Sequence, residues 1–307
     1  MRPLRGIILK ICSVMVFIVM ASLIKSTTAH VPAGEAVFFR SFFAIPVIVV
    51  WLTVQGQLST GFRTDNPLGH VWRGLMGTLA MGMGFAGLGY LPLPEVTAIG
   101  YASPLLVVIF AAMFLGEQVR AFRIGCVALG LTGVLIVLSP RLTISTGSPV
   151  GQTEALGAMI VLFSAFCAAL AQVFVRKLIL TESTATIVFY FSATSTVLSL
   201  VTLPFGWVWP TPLEGGLLVL AGLLGGVGQI FLTASYREAD ASLVAPFDYA
   251  SMLFALGIGY FVFGEVPTLT MLEGAALVVL AGILIIWREA RLGLERAKAR
   301  QATTPQG

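Results

Sequence analysis

The sequence predicts an all-α membrane protein in which ten transmembrane helices form two inverted five-helix repeats. Three observations carry that expectation: a composition too apolar for an aqueous fold, apolar runs of spanning length along nearly the whole chain, and a motif that returns five helices later. Hydrophobic residues make up 57% of the chain and charged residues 10%, with a mean hydropathy of +0.96. A soluble domain is about 25% charged, so this chain has too little polar surface to cover an aqueous fold, and no linker is long enough to form one.

The elements follow from the apolar runs and their breakers. The first, 6–26, follows Met1-Arg2-Pro3-Leu4-Arg5 and imitates a secretory signal. Its apolar stretch from Ile7 to Ile24 exceeds a typical signal core, however, and Thr28-Ala29-His30 is a poor cleavage site, so it reads as a membrane span. The second, 35–54, carries Glu35 and Arg40 and ends at the connector 55–70. The glycine-rich run 72–91, then 95–115 and 121–139, complete the first half. Beyond Arg141–Glu154 come 155–175, 184–203, 215–235, 243–263 and 270–287. Each run is on the scale needed to cross a hydrocarbon layer of roughly 30 Å. Residues 1–140 are therefore expected to form the first repeat, 141–154 a connector, 155–287 the second repeat, and 288–307 a basic cytoplasmic tail.

An even number of crossings puts both termini on one side. A cytoplasmic N-terminus leaves only Lys25, Arg40 and Arg141 of the 18 Lys and Arg residues away from the inner face, as the positive-inside rule requires. The connection Pro204–Pro210 contains Trp207 and Trp209 and no cation, which suits the outer interface. The net charge of +4 is thus assigned to topology in a multi-pass inner-membrane protein. The lipid bilayer is its expected partner and nucleic acid is not.

The repeat is read from Tyr101-Ala102-Ser103 with Gly116-Glu117, which recurs 148 residues later as Tyr249-Ala250-Ser251 with Gly264-Glu265. One residue out of that register, Leu131–Ile136 aligns with Leu280–Ile285. A unit with an odd number of crossings places its second copy upside down, the plan of many secondary transporters.

These residues resemble the drug/metabolite transporter superfamily, and within it the EamA-type transporters, over about residues 5 to 290. The landmarks are Phe38-Phe39-Arg40-Ser41-Phe42-Phe43-Ala44, Leu115-Gly116-Glu117, the run from Gly125 to Val137, and Phe263-Gly264-Glu265. The segment Pro32–Arg40 is also similar to the riboflavin transporters of that superfamily. The resemblance implies carriage of a small organic metabolite, with riboflavin uptake as the first cargo. The second reading is export of amino acids, S-adenosyl compounds or drugs; a membrane-embedded enzyme or a non-transporting scaffold is the reading from another class.

Candidate binding residues cluster at the repeat. Pro104 lies three residues after Tyr101 and Pro246 three before Tyr249, and matched helix breaks in two halves point to a transporter's binding site; the alternative is a kink that serves packing alone. Tyr101 and Tyr249 each lie about six residues, or roughly 9 Å, in from opposite faces, where their rings could stack on a flat ligand or simply pack. Ser103 belongs to the same motif. Asp248 is an intramembrane carboxylate and so a candidate for substrate or proton binding, unless it pairs with Arg237 or meets solvent. Gln172, Gln229 and Tyr190 offer hydrogen bonds to a polar ligand or between helices. Arg40 is expected to form a structural or gating ion pair with Glu35, with Lys25 as competitor, or else to bind an anionic or carbonyl group of the cargo.

Enzyme chemistry and cofactors find no residues to carry them. His30 and His70 fall in connectors on opposite sides, and Cys12, Cys126 and Cys167 lie singly in apolar runs, which leaves no metal set. There is no nucleotide-binding loop, zinc-protease motif or nucleophile elbow.

Overall fold

The computed structural model describes residues 3–56, 58, 62–115, 121–143, 149–178, 181–238 and 245–303. Every regular element among them is helical. The α-helices are α1 (Pro3–Lys25), α2 (Ala33–Phe42), α3 (Ala44–Val54), α4 (Pro67–Tyr90), α5 (Leu93–Gly100), α6 (Ala102–Leu115) and α7 (Ala121–Thr143), then α8 (Pro149–Leu178), α9 (Thr184–Leu200), α10 (Pro212–Glu238), α11 (Ala250–Phe263) and α12 (Leu269–Thr303). Short 3-10 turns, Leu203–Phe205 and Ala245–Tyr249, precede α10 and α11. Seven stretches are long and apolar enough to cross a membrane, among them Leu4–Lys25, Ala33–Val54 and Leu93–Phe114, and Ala185–Leu200 and Phe247–Phe263 are shorter apolar helices. The protein is thus an all-helical, multi-span membrane protein. Gly116-Glu117 and residues 144–148 lie outside the described residues.

Two runs read as single helices each divide into two α-helices, and proline explains both breaks. Pro46 is the third residue of α3 and Pro104 the third of α6. A proline has no N–H for the carbonyl four residues back and its ring collides with that carbonyl, so the break falls upstream of the ring. It falls at Phe43 (φ −77°, ψ −9°) and at Tyr101 (φ −67°, ψ −6°). Helix also fills much of the segment read as a connector, since α7 continues through Pro140 to Thr143 and α8 begins at Pro149. The basic tail continues α12 as helix to Thr303.

The most extensive helix pairings are α4 with α8, α1 with α10, and α7 with α12. Each joins the first half of the chain to the second. The core is likewise shared: Ile99, Leu105 and Leu138 pack with Val161, Met252 and Val278, and Ile24, Val37 and Phe85 pack with Leu218 and Ala255. Association of helices in lipid depends on close van der Waals packing, because lipid tails are as apolar as leucine. Small residues supply it. A Cβ on Gly133 would sit 2.7 Å from the Gly274 carbonyl oxygen, and one on Gly274 would sit 2.6 Å from that of Gly133. Gly222 meets Phe43 and the Phe39 carbonyl, and Gly226 meets Val47 and the Ala44 carbonyl, so α10 lies against α2 and α3 with almost no side chain between.

Candidate functional site

The two repeated tyrosines meet. Tyr101 ends α5 and Tyr249 precedes α11, so each occupies the joint between two helical segments. Their rings stand edge to face with centroids 5.1 Å apart. The Tyr101 hydroxyl makes a short contact with Ser251 Oγ and lies 3.5 Å from the carbonyl oxygens of Asp248 and Tyr249. Ser251 Oγ also donates to the Asp248 carbonyl at 2.7 Å.

The second tyrosine does not repeat this arrangement. Its hydroxyl packs on Gly282 of α12, where a Cβ would come within 1.6 Å of it. Ser103, the counterpart of Ser251, is buried, and among the described residues its Oγ has no hydrogen-bond partner. Two sequence-equivalent Tyr-Ala-Ser segments are therefore in different hydrogen-bonded states.

Two lysines of α1 tie the first half to the acidic groups flanking α11. Lys10 Nζ lies 2.7 Å from Asp248 Oδ1, with the lysine side chain 1% exposed and the aspartate 48%. Lys10 is a cation the sequence assigned to the inner face; the structure buries it. Lys25 Nζ lies 2.9 Å from Glu265 Oε1, donates to the carbonyls of Leu88 and Leu91, and sits 5.5 Å from the centre of the Phe263 ring. Glu265 reaches it because Gly264 takes a left-handed φ of 65° at the end of α11, and the Glu265 N–H then bonds back to the Gly259 carbonyl. Glycine adopts that conformation without a steric penalty. Glu265 Oε2 also accepts from the Leu93 N–H. The two ion pairs thus bracket α11 from its two ends.

Glu35 and Arg40 are directed apart. They are five residues apart on α2, which rotates them about 140° from each other at 100° per residue. Glu35 Oε2 accepts from the Val208 N–H at 3.1 Å. Arg40 is 5% exposed, and its guanidinium lies over the Phe191 ring, 5.5 Å from the centroid. Arg73 of α4 covers the same ring at 3.9 Å. Lys25, the expected competitor for Glu35, is engaged with Glu265.

The remaining sequence candidates scatter. The Tyr190 hydroxyl donates to the Phe62 carbonyl and its ring stacks on His70, which places it in a clasp built around Glu182. There Glu182 Oε1 accepts from Thr64 Oγ1 and from the N–H groups of Asp65 and Asn66. Gln172 is exposed on α8 and Gln229 half-buried on α10, and among the described residues neither bonds to the tyrosine pair. Pro104 is exposed on α6; Pro246 lies in the turn before α11, and its side chain is outside the described set. Among the described residues no three His, Cys, Asp or Glu side chains converge as metal ligands, and the three cysteines are free thiols. Arg73, Lys10 and the Lys25–Glu265 pair are the groups that sequence reasoning did not place at the site.

A cavity of about 380 Å³ lies between α2, α4 and α9, lined by Val37, Leu75, Thr78, Gly82, Leu198 and Thr202 among others. Its walls are almost entirely apolar side chains, with hydroxyls at Thr78, Ser199 and Thr202.

Known proteins are similar to this chain in sequence, and a solved structure is similar to it in fold. The chain is 32% identical over 284 residues to the pseudopaline exporter CntI of Pseudomonas aeruginosa strain UCBPP-PA14, covering 91% of this chain and 95% of that protein. It is 30% identical over 263 residues to a riboflavin transporter of Rhizobium johnstonii, covering 85% and 83%, and 28% identical over 257 residues to an S-adenosylmethionine uptake transporter of Rickettsia felis, covering 83% of each. A crystal structure superposes with a TM-score of 0.65 at 20% identity, covering 91% of this chain and 96% of that one, which speaks to the fold alone. The profile of the EamA-like transporter family matches residues 4–139 and 155–287, and the chain belongs to that family.

Proposed function

We propose that the protein is a secondary transporter of the bacterial inner membrane that moves a small organic metabolite by alternating access. Its crossings number ten, in two inverted five-helix halves at residues 1–140 and 155–287, with both termini cytoplasmic. The observation that carries this reading is the tyrosine pair. Inverted repeats exchange conformations when a transporter changes the side it opens to, and here Tyr101 holds Ser251 while Tyr249 leaves Ser103 without a partner. The pairing of α4 with α8 and of α1 with α10 supports it too, because each pairing becomes the other when the halves are exchanged.

The path runs past Tyr101, Ser103, Asp248 and Tyr249. Riboflavin uptake is the first cargo suggested by resemblance, and the edge-to-face rings suit a flat heteroaromatic group. The second reading, export of amino acids, S-adenosyl compounds or drugs, gains from one observation: two guanidiniums, Arg40 and Arg73, cover one ring, where the carboxylate of an amino-acid group would be held. Flux of labelled S-adenosylmethionine and labelled riboflavin into proteoliposomes, beside growth rescue of a riboflavin auxotroph, separates these cargoes. An enzyme or scaffold moves neither solute. Orientation is checked by impermeant maleimide on spheroplasts, where a cysteine placed at Ser145 labels and one at Thr303 does not.

A further inference from the structure

We propose that Arg40 and Arg73 form a recognition site for the carboxylate of an organic anion, with Phe191 as the ring that both guanidiniums cover. Arg40 Nε and Arg73 Nε and Nη1 are buried without a hydrogen-bond partner, and among the described residues no carboxylate pairs with either side chain. Both cationic carbons lie over one ring, at 5.5 and 3.9 Å from its centroid, so they are at most about 9.4 Å apart. Two like charges held this way repel each other, and Arg40 Nε with Arg73 Nε and Nη1 have lost their water. A buried charge is normally neutralised by a partner, and the nearby acids are engaged elsewhere: Glu35 with Val208, Glu182 with Thr64 and its neighbours.

Space is kept for the guanidiniums. A Cβ on Gly77 would lie 2.2 Å from Arg73 Nη1 and 2.7 Å from Phe191 Cε2, and one on Gly225 would lie 3.1 Å from Arg40 Nε. The cavity between α2, α4 and α9 is walled by the same three helices that carry Arg40, Arg73 and Phe191. Arg40 is one turn along α2 from Val37, and Phe191 is two turns along α9 from Leu198, both of which line it; residues three or seven apart share a helix face. An apolar body in the cavity would therefore bring a charged end to the two arginines. The planar fork of arginine matches a carboxylate bidentately, and a guanidinium stacks on an aromatic face. Phe191 supplies that face and holds both forks in position.

The carboxylate is that of a cargo, which rests on the transporter reading above and on its amino-acid and S-adenosyl branch, since riboflavin has no carboxylate; the phosphate of an anionic lipid headgroup is the other anion that arginine forks hold. The test uses binding rather than flux, so a failure of transport and a failure of this site remain distinct. The full chain in phosphatidylcholine nanodiscs is melted with sodium benzoate or with benzamide, its neutral analogue, at equal concentration. Benzoate should raise the melting temperature and benzamide should not. Arg40→Gln and Arg73→Gln should each weaken the benzoate effect about tenfold or more, while leaving the ligand-free melting temperature equal or higher because a buried charge has been removed. Arg73→Lys, which keeps the charge, should retain part of it. Equal shifts by benzoate and benzamide, or a benzoate shift that survives both Gln variants, overturn the proposal. So does a ligand-free melting temperature that falls in both variants, which marks the arginines as structural. Repeating the melts in phosphatidylglycerol nanodiscs separates the sources: an Arg73-dependent stabilisation by that lipid, with the benzoate effect gone, assigns the site to a headgroup and overturns the cargo assignment.

Discussion

Tyr101 and Tyr249 stand edge to face, 5.1 Å between ring centroids, although 148 residues separate them. The contact joins the two copies of one motif at equivalent helix joints. Tyr101→Phe keeps the ring and deletes the hydroxyl that meets Ser251, so it should reduce stability by about 1 kcal/mol, the usual net worth of a hydrogen bond. Tyr101→Ala and Tyr249→Ala remove the ring contact as well and should abolish most flux at matched expression. Near wild-type flux in both Ala variants would place the path on other helices.

Ser103 and Ser251 separate the two halves further. Ser251→Ala leaves the buried Tyr101 hydroxyl short of a partner and should cost about 1 to 2 kcal/mol. Ser103→Ala removes a hydroxyl that is already unsatisfied and should leave thermal stability unchanged or raised. Equal losses for the two would show that the asymmetry is not held in the membrane.

Gly282 is packed under Tyr249 with no space for a methyl group. Gly282→Ala should displace the ring, cost about 1 to 3 kcal/mol as overpacking does, and reduce flux. Combining it with Tyr249→Phe, which takes away the clashing oxygen, should recover part of the lost stability in a thermal melt.

Lys10 and Asp248 test what an acid is worth beside a buried lysine. Asp248→Asn removes the facing carboxylate and should destabilise by up to about 3 kcal/mol; the upper values for broken buried pairs are out of reach because Asp248 is half exposed. Lys10→Met with Asp248→Leu should be more stable than Asp248→Asn alone. A proton-coupled or charge-reading path would still lose accumulation in the double variant, so stability and flux separate the structural role from the functional one.

Glu182 gives a pH dependence. Burial acts to raise its pKa, but hydrogen bonds from Thr64, Asp65 and Asn66 and the nearby His70 outweigh it, leaving the carboxyl below the ordinary value of 4.5. A depressed carboxylate contributes stability that is present above the unfolded pKa and lost as pH falls through the folded one. Hydrogen exchange of the Asp65 and Asn66 amides should therefore rise as pH is lowered below about 4.5, after correction for intrinsic rates, and Glu182→Gln should flatten that response.

Much of the fold was legible because a membrane imposes one rule on the backbone: polar groups are satisfied within helices. Apolar run length then locates Leu4–Lys25 or Pro212–Leu232 directly. Helix joints were legible in part. Pro104 signals a break, but only the geometry puts it at Tyr101, and the break at Phe43 followed from Pro46, which the apolar run concealed. At the site, the Tyr-Ala-Ser repeat pointed to two residues that do touch. Glu35 and Arg40 were coupled because they are close in sequence, yet their angular separation on α2 sends them to Val208 and Phe191.

The sequence by itself determined the class, the family and the two-copy plan, because those depend on composition, run length and repetition along one dimension. The tertiary structure alone decided the partners. Lys10 finds Asp248 and Lys25 finds Glu265 across more than two hundred residues, and Arg73 joins Arg40 over a ring from a third helix. A charge in an apolar run must be compensated, and the sequence states that requirement without saying by what. The answer depends on which helix faces meet, and that is set by small residues such as Gly222, Gly226 and Gly282, whose close contacts exist only once the bundle is packed.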